Sequence, residues 1–538
     1  MIRTFLLLLP FLLHAEITIK ELQNSPKGHV RNFKIWQYLD GDISPNDADT
    51  VYCLVDGYND KIFSKYAQKT LDKTVKEQYR CSHLNLQALL NETNTSCINR
   101  GLSIRKAIRL KKRQREKLCN VLRKEYTSKS ELISLMNSTD FVSDALKSGT
   151  KNYLRLFNSL GSAHRQKYFN VQLSQKQINA LADDKGFNQA IKHIVTDAKM
   201  YRMQKSLLLL KPHELSAQSY FFLGLNALRF KATNKATSYF DLTQKKAYFQ
   251  MDKDKALFWK YLVTKDTQFL NELVLSSDIN IYTLYGKEKR GLAVNNYFTQ
   301  QALSNKASTL DLQDPYVWEK TLAKIRRSDK KELNALLQEY SGKDDDVLHA
   351  FIYSKAQNYR QHNYIMPYKK ATRGLSGDDK ALLYALARQE SHFIPSAISR
   401  SYALGVMQMM PFLIKALAKE KKEFPNLDDM FKPEKNIAYA IRHLAYLQRH
   451  LYHPLFIAYA YNGGIGFTKR HLLKGTFRKG SFEPFLSMEL MGNTESREYG
   501  KKVLANYVIY KKILKEEVKI SSLFEILTEP SHTDRFRI

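Results

Sequence analysis

The chain has 538 residues, of which 43% are hydrophobic and 26% are charged, and it carries a formal net charge of +32. Because single domains usually hold about 100–200 residues, this length excludes one core and predicts two to four units. The composition also excludes a largely disordered chain, since no long Gly/Ser-rich or Pro-rich tract is present.

The N-terminus has the three-part layout of a secretory signal peptide. Met-Ile-Arg precedes the apolar run 4–13, and a small residue, Ala15, follows at the expected cleavage site. The run is far shorter than the about 20 residues needed to cross a bilayer, and it contains Pro10. We therefore expect export to the periplasm, with an apolar first helix of the fold as the alternative.

The basic charge predicts contact with polyanions. In an exported protein these would be the carboxylates of peptidoglycan stem peptides or an anionic membrane surface, and no nucleic-acid partner is expected. A local basic run, 111–117, is interpreted as a solvated helix face rather than a dedicated binding patch.

All four cysteines fall in the N-terminal part of the chain, at Cys53, Cys81, Cys97 and Cys119. Since an exported chain meets an oxidising compartment, two disulfides are expected, and all three pairings stay open. Four buried free thiols are the alternative. A zinc site is disfavoured because there is no Cys-x-x-Cys pair.

Apolar residues recur at helical spacing along almost the whole chain, which predicts an all-α fold. Small residues in 219–228 and 236–240 suit two closely crossing antiparallel helices, as in a degenerate tetratricopeptide hairpin, and 256–261 with 281–286 suggest a second pair. One hairpin cannot bury its own apolar face, so a helical solenoid of stacked hairpins is expected from about residue 30 to 365. An ordinary helical bundle is the alternative.

A boundary is predicted near 364–370, where Pro367 disfavours helix at the preceding residue and polar residues follow. We therefore expect four segments, which are a signal peptide at 1–15, an N-terminal helical region with disulfides at 16–150, the helical solenoid at 151–365, and a separate helical domain at 366–538.

Within the last segment, Ser376 and Asp379 have the spacing of a capping box, which predicts the start of a helix running through Glu390. Glu390 shares one helical stripe with Leu383 and Leu386, so its carboxylate faces the apolar side. Burial there would raise the pKa of the carboxyl towards the working pH, as a general acid/base requires. A Glu at a frayed helix end, turned to solvent or paired with Arg or Lys, is the alternative.

The next segment, 393–411, is predicted to be an irregular loop that folds back over Glu390, with Pro411 at the first position of the following helix. Gln408 can hydrogen-bond an amide or hydroxyl group of a sugar, and the neighbouring methionines offer an apolar wall for a pyranose face. Taken alone, a Met-rich stretch more often indicates core packing.

Four motifs follow one another in this last segment: Glu390-Ser391, Gly-Val-Met-Gln-Met-Met-Pro at 405–411, Ala-Tyr-Asn-Gly-Gly at 460–464, and Glu-Ser-Arg-Glu-Tyr at 495–499. In order and spacing they resemble the signature motifs of the soluble lytic murein transglycosylases, a family whose catalytic domain is similar to goose-type lysozyme. The predicted solenoid resembles the U-shaped helical domain of that family. The cysteine-bearing region resembles nothing comparable.

The resemblance implies a lysozyme-like helical domain that cleaves the β-1,4 bond between N-acetylmuramic acid and N-acetylglucosamine and leaves a 1,6-anhydro end. Ordinary glycosidases need two carboxylates, but no second Asp or Glu lies between Glu390 and Gln408. A single carboxyl group fits substrate assistance, in which Glu390 protonates the leaving oxygen and later removes the C6 hydroxyl proton while the substrate N-acetyl group stabilises the cationic sugar.

The resemblance also implies roles for other residues. Ser391 would orient Glu390 or touch the sugar, Tyr461 would support Glu390 or the transition state, and Asn462 would hold the surrounding backbone. The cleft and substrate contacts are assigned to Ser399, Gln408, Met410 and Glu495. Structural roles are the alternatives, among them turn chemistry for Asn462 and a surface ion pair between Glu495 and Arg497.

Three positions depart from the family pattern: Tyr402 replaces a Gly, Ser496 replaces a Thr, and Gly463 replaces the commoner Ala. None of them is a proton-transfer group, so they bear on subsite preference rather than on activity.

Two functional alternatives are a hydrolytic lysozyme that activates water and a non-catalytic peptidoglycan-binding scaffold. No metal or organic cofactor is expected, because no His/Cys/Asp cluster has ligand spacing. We expect a monomer whose partner is the peptidoglycan glycan strand. Cell-wall synthesis proteins and a peripheral membrane contact are further candidates.

Overall fold

The structure is a computed structural model that describes residues 17–299, 304–308, 310–424 and 426–538. The predicted signal peptide at 1–15 lies outside these residues. The regular secondary structure of the described residues is helical apart from three isolated bridges and one parallel strand pair, β1 (Tyr297–Phe298) with β2 (His362–Asn363). The predicted all-α fold is confirmed.

The first four helices, α1 to α4, are Ile19–Asn24, His29–Tyr38, Pro45–Tyr52 and Asp60–Lys69. They pack around a small core of their own. The side chains of Thr18, Ser44 and Asn59 accept hydrogen bonds from free backbone N–H groups and so start α1, α3 and α4. Phe33 on α2 belongs instead to the main core, which runs through the rest of the chain.

Twelve short helices follow and form the second part of the chain. Helices α5 to α16 are Lys73–His83, Leu86–Asn91, Thr95–Gly101, Ile104–Ala107, Lys112–Leu122, Thr127–Ser134, Phe141–Lys147, Thr150–Ser159, Ser162–His164, Gln175–Ala182, Phe187–Val195 and Tyr201–Leu207. The basic run 111–117 opens α9, where Lys112 and Arg113 are exposed while Arg115 and Lys117 donate to backbone carbonyl groups. Only part of the run is therefore a freely solvated face.

A single disulfide joins Cys81 on α5 to Cys97 on α7. The expectation of two disulfides is wrong, because Cys53 and Cys119 are free thiols. Cys53 is exposed at the end of α3, whereas Cys119 is buried on α9 and directs its thiol towards the Ser130 carbonyl oxygen, 3.5 Å away. A bridge between them would require α9 to turn a buried face outwards.

Longer helices then stack in chain order. Helices α17 to α24 are Ala217–Arg229, Thr233–Lys246, Gln250–Thr264, Gln268–Leu273, Ile281–Lys289, Pro315–Arg327, Lys330–Glu339 and Asp346–Ala356. The predicted hairpin is α17 with α18, and it is tight because Gly224 faces Phe240, where a Cβ would lie 2.4 Å from the ring. The second predicted pair is α19 with α21, which pack together although α20 lies between them in sequence. Contacts between successive helices are typical of a solenoid.

The last nine helices, α25 to α33, are Gly377–Ser391, Pro411–Lys421, Pro433–Gln448, Pro454–Gly463, Ile465–Leu472, Phe485–Glu489, Thr494–Ile513, Ile520–Ile526 and Pro530–Thr533. Ser376 caps α25 as predicted, but the Asp379 carboxylate accepts from the Ser376 hydroxyl at 2.8 Å, so the reciprocal half of the capping box is not formed. Pro411 stands at the predicted start of α26. Helix α31 packs against both α25 and α28 at the centre of this unit.

Helices α2 and α4 contact the unit formed by α25 to α33. His29 Nε2 lies 2.9 Å from the Ser399 carbonyl oxygen, and Asn59 Nδ2 donates to the Tyr402 hydroxyl at 2.9 Å. The rings of Phe33 and Tyr402 lie 5.4 Å apart. The path of the chain therefore closes on itself, with α2 and α4 against the loop that follows α25.

None of the helices formed by the described residues has both the length and the apolar character needed to cross a membrane.

Candidate active site

Glu390 lies in the last turn of α25 and is half-buried beside the buried residues Leu383 and Leu386. Burial raises the pKa of its carboxyl to about 7, against a hydrogen bond from Tyr499 that favours the charged form. The negative charge of Glu495 raises this pKa further. Its partner is thus a tyrosine rather than a Lys or Arg, which contradicts the alternative of a solvent-turned or ion-paired Glu.

Tyr499 is the hydrogen-bond donor to this carboxyl group. Its hydroxyl donates to Glu390 Oε1 at 2.6 Å, and the side chain is buried on α31. Burial, together with the nearby Glu390 charge, raises the Tyr499 pKa well above 10, so the hydroxyl keeps its proton. The motif at 495–499 contains Tyr499, but no local pattern around it indicates this role.

Tyr461, on α28, was expected to support Glu390 or the transition state. Its hydroxyl donates to the Met407 carbonyl oxygen at 2.8 Å, with the Met409 sulfur 3.5 Å away. Burial raises the Tyr461 pKa, and the charge of Glu390 adds to this rise. The Tyr461 hydroxyl therefore donates to the loop that follows α25 rather than to Glu390.

A polar trio forms where α28 ends and α31 begins. Asn462 Nδ2 donates to Glu495 at 3.2 Å, and Ser496 Oγ donates to Asn462 Oδ1 at 2.7 Å. A Cβ at Gly463 would lie 2.8 Å from Ser496 Oγ, so the glycine leaves space for this contact. The alternative of a Glu495 ion pair with Arg497 is wrong, because Arg497 pairs with Glu498.

The loop after α25 is held against the end of that helix. Ser391 Oγ donates to the Val406 carbonyl oxygen at 2.7 Å. Gln408 Nε2 donates to the carbonyl oxygens of Ala397 and Gly405 at 3.0 and 2.9 Å. Ser391 and Gln408 therefore shape the loop in this structure, and their contacts with sugar stay predictions.

Asn436, on α27, is a further residue that holds this loop and that the sequence did not indicate. It is fully buried, accepts from the Met407 N–H at 2.7 Å and donates to the Leu404 carbonyl oxygen at 2.9 Å. Gly405 has φ +77°, and a Cβ there would lie 2.5 Å from Asn436 Nδ2. A lone Asn inside a helix carries no local signal of such a role.

Ser399 lies inside the same loop, and Met410 lies at its C-terminal end. Ser399 Oγ accepts from the Ala403 N–H at 2.9 Å, and half-buried Met410 precedes α26 as its N-cap. Tyr402 has φ +64°, in the left-handed region, which accounts for the glycine that the family pattern has there. Its ring turns away into α2 and α4 and is 1% exposed.

The described residues also contain a cavity of about 1160 Å³ between the solenoid and the last unit. Gln389 and His392 line it, together with Lys502 and Glu498 on α31, but Glu390 does not. In the part of the chain that the structure describes, one cluster has metal-ligand types, Glu77 with Cys81 and Cys97, and its two sulfur atoms are joined as the disulfide.

Comparison with known proteins gives a family match in this unit. Residues 368–481 match the family model described as "Transglycosylase SLT domain". The chain carries an SLT domain. The match includes Glu390, the 405–411 loop and the 460–464 motif, whereas Glu495 and Tyr499 lie beyond its end.

Relatives with named functions match part of the chain. A membrane-bound lytic murein transglycosylase C from Edwardsiella ictaluri is 35% identical over 118 residues, which cover 20% of this chain and 33% of the relative. A putative soluble lytic murein transglycosylase from Haemophilus influenzae is 32% identical over 184 residues, 33% of this chain and 30% of the relative. The chain thus spans about a third of the length of either relative.

The similarity in fold extends beyond the SLT domain. An inactive mutant of the lytic transglycosylase Slt from Pseudomonas aeruginosa has a TM-score of 0.51 at 15% identity, covering 91% of this chain and 87% of that one. The overall helical fold of this chain is therefore similar to one already seen in a solved structure.

Proposed function

We propose that this protein is a peptidoglycan lytic transglycosylase that cleaves the β-1,4 bond between N-acetylmuramic acid and N-acetylglucosamine and forms a 1,6-anhydromuramic acid end. The observation that carries the proposal is Glu390, a half-buried carboxyl group with a pKa raised to about 7 and a tyrosine hydroxyl on one oxygen. The matched SLT domain and the names of its relatives support the same reaction.

In the first half-reaction, protonated Glu390 gives its proton to the glycosidic oxygen as the C1–O4 bond breaks. Tyr499 donates to Oε1, so the proton to be transferred sits on Oε2. The carbonyl oxygen of the substrate's 2-acetamido group bonds to C1 and takes up the positive charge.

In the second half-reaction, the Glu390 carboxylate removes the proton of the C6 hydroxyl, and O6 attacks C1 as the acetamido oxygen leaves. The carboxyl is then protonated again, and no water is consumed. The hydrogen bond from Tyr499 stabilises the carboxylate between the two half-reactions, and a pKa near neutrality allows both proton transfers.

We assign the supporting roles by position. Ser391, Gln408 and Tyr461 shape the loop that faces Glu390, and Ser399 and Met410 belong to this loop. Asn462 with Glu495 forms the polar side of the cleft. The three-part N-terminal sequence supports action in the periplasm on glycan strands, by a monomer.

Product analysis tests the reaction. Digested sacculi should yield 1,6-anhydromuropeptides, which are lighter by one water than the reducing products of a lysozyme. Glu390→Gln should lower the rate by several orders of magnitude with the helical circular dichroism unchanged. Reducing products would establish the hydrolytic alternative. Undiminished clearing by Glu390→Gln would exclude Glu390 as the acid/base.

A further inference from the structure

A group of polar and charged side chains, buried except for half-buried Glu498, joins α31 to the solenoid, and we call it the seam cluster: Tyr282, Glu489, Arg497, Glu498 and Lys501. Lys501 Nζ lies 2.9 Å from Glu489 Oε2, 2.9 Å from Glu498 Oε2 and 3.1 Å from the Tyr282 hydroxyl oxygen. That hydroxyl in turn donates to Glu489. Lys501 and Tyr282 are fully buried, and Tyr282 comes from α21, more than 200 residues before Lys501 in the chain.

Further cations complete the cluster. Arg497 Nε lies 2.8 Å from Glu498 Oε1, and its guanidinium group stands 5.3 Å from the centre of the Phe222 ring on α17. Burial lowers the pKa of Lys255 on α19, but the carboxylates of Glu498 and Glu489 outweigh it, so the ammonium group stays charged. Side chains from α17, α19 and α21 therefore surround one stretch of α31.

Burying charges in this way costs stability unless every charge is paired and hydrogen-bonded. Such groups are best known for fixing the register of one element against another, because any displacement leaves a charge unpaired in a dry environment. For α31, a slide or rotation would separate Lys501 from the Glu489 carboxylate and the Tyr282 hydroxyl group at once, whereas Glu498 lies on α31 and moves with Lys501. The solenoid thus sets the axial and rotational position of this helix.

The same stretch of α31 carries residues of the candidate active site. Tyr499 lies two positions before Lys501, and two residues correspond to about 200° around a helix, so the two side chains point to nearly opposite sides. Tyr499 reaches Glu390 on one side, and Lys501 reaches Tyr282 on the other. The position that the seam cluster fixes is therefore the position from which Tyr499 donates to Glu390.

We infer that Tyr282 is a positioning residue for the active site, acting from the solenoid through Lys501 and Glu489 to hold the Tyr499 hydroxyl against Glu390. The inference rests on the proposed role of Glu390 as the acid/base. It gives the solenoid a part in the proton-transfer step, in addition to any contact with the glycan.

The direction of the effect follows from the groups that face Glu390. These are Tyr499 and Glu495 on α31 and Tyr461 on α28. A hydrogen bond weakens within a few tenths of an ångström, whereas the repulsion from Glu495 falls only with the inverse of distance. A small displacement of α31 therefore removes more of the stabilisation by Tyr499 than of the repulsion, and the Glu390 pKa rises.

The test replaces Tyr282 by Phe, which keeps the ring and removes only the shared hydroxyl. Tyr285→Phe is the matched control, because Tyr285 lies on the same helix, packs edge-on against Phe258 and Phe485, and is not part of the seam cluster. The Glu390 carboxyl is titrated in the full chain by infrared difference spectroscopy against Glu390→Gln. This readout does not depend on activity.

We expect Tyr282→Phe to raise the Glu390 pKa by about half a unit and to lower kcat on sacculi about threefold to tenfold, with Tyr285→Phe unchanged in both. Glu489→Gln, which keeps the volume and removes the charge, should shift the titration in the same direction. In a Tyr499→Phe background, Tyr282→Phe should add no further shift, because the two residues act through one hydrogen bond.

The inference is overturned if Tyr282→Phe and Glu489→Gln change only the melting temperature and leave the Glu390 titration in place, or if the shifts of Tyr282→Phe and Tyr499→Phe add. If Glu390 in the wild-type chain titrates near pH 7 but the protein releases no anhydro product, the proposed function is contradicted instead. In that case the shift of the Glu390 titration in the variants still tests whether Tyr282 positions Tyr499.

Discussion

The hydroxyl of Tyr499 donates to the carboxyl group of Glu390 across 2.6 Å, although 109 residues separate the two in the chain. This bond favours the charged carboxylate, while burial favours the neutral acid, and the balance raises the pKa of Glu390 to about 7. Since the first half-reaction needs the protonated acid, we expect kcat/KM to fall as pH rises through about 7.

Tyr499→Phe should raise the pH at which kcat/KM falls by about one unit, because the charged form of Glu390 loses its hydrogen-bond donor. The maximal rate should fall at the same time, since the carboxyl is less well oriented. Tyr510→Phe is the control, as this buried tyrosine on α31 donates to the Ile365 carbonyl oxygen instead. If Tyr499→Phe leaves the pH at which kcat/KM falls unchanged, the hydroxyl does not set the pKa of Glu390.

Glu390→Gln should make the protein more stable at alkaline pH. The folded pKa of Glu390 is raised from 4.5 to about 7, so the stability that this group contributes is present below pH 4.5 and is lost as pH rises through 7. The neutral amide should therefore raise the melting temperature at pH 8 by about 2–4 °C, corresponding to about 1–2 kcal/mol after allowance for partial exposure. At pH 4 the variant and wild type should melt together. Glu420→Gln, at an exposed position on α26, should show no such pH dependence.

Asn436→Ala should destabilise the SLT domain by about 2–4 kcal/mol, because it leaves the Met407 N–H and the Leu404 carbonyl oxygen without their partner. Activity should fall with it, since these groups belong to the loop beside Glu390. Chemical denaturation checks the free energy of unfolding. Asn46→Ala, at an exposed position on α3, is the control. Equal midpoints for the two variants would contradict a role for Asn436 in holding the loop.

The cysteines should be distinguishable by thiol labelling. The native chain should react once, at exposed Cys53, and a second thiol, Cys119, should appear only on denaturation. Replacing Cys81 and Cys97 together by Ser should cost about 2–3 kcal/mol, since the disulfide closes a short loop of 16 residues. Cys53→Ser should leave stability unchanged. Four thiols in the denatured, unreduced protein would show that the bridge is not formed.

Tyr402→Ala should loosen the contact between the first helices and the SLT domain, because it removes the ring that packs against Phe33 and the hydroxyl that meets Asn59. Limited proteolysis should then cut faster between α4 and α5, and KM for sacculi should rise. Tyr58→Ala serves as the control, since that ring is 76% exposed. Unchanged cleavage kinetics would argue that Tyr402 does not hold these helices.

Local signals in the sequence predicted much of the last unit. The Ser376 cap, Pro411 at the start of α26 and the apolar stripe with Glu390 each depend on residues within a few turns, and the structure has all three. The hairpin at Gly224 was predicted for the same reason, since small residues at helical spacing indicate a close crossing.

Contacts between distant segments could not be predicted in this way. Asn436 contacts the loop, and Tyr499 contacts Glu390. Each lies on a helix whose apolar periodicity does not indicate which distant residues it will contact. Cysteine spacing likewise does not encode spatial distance, so the one observed pairing could not be selected. The motif resemblance identified the neighbourhood of Tyr499, but the donor role became clear only from the folded geometry.

The contact of α2 and α4 with Tyr402 joins positions about 340 residues apart. During synthesis the N-terminal helices appear first, yet their partner surface on the SLT domain is complete only when the last third of the chain has been made. Docking therefore belongs to the final stage of folding, after the solenoid has formed between the two partners. In any intermediate that lacks this contact, Phe33 on α2 loses its cover from Tyr402, and exposed apolar surface of this kind favours aggregation.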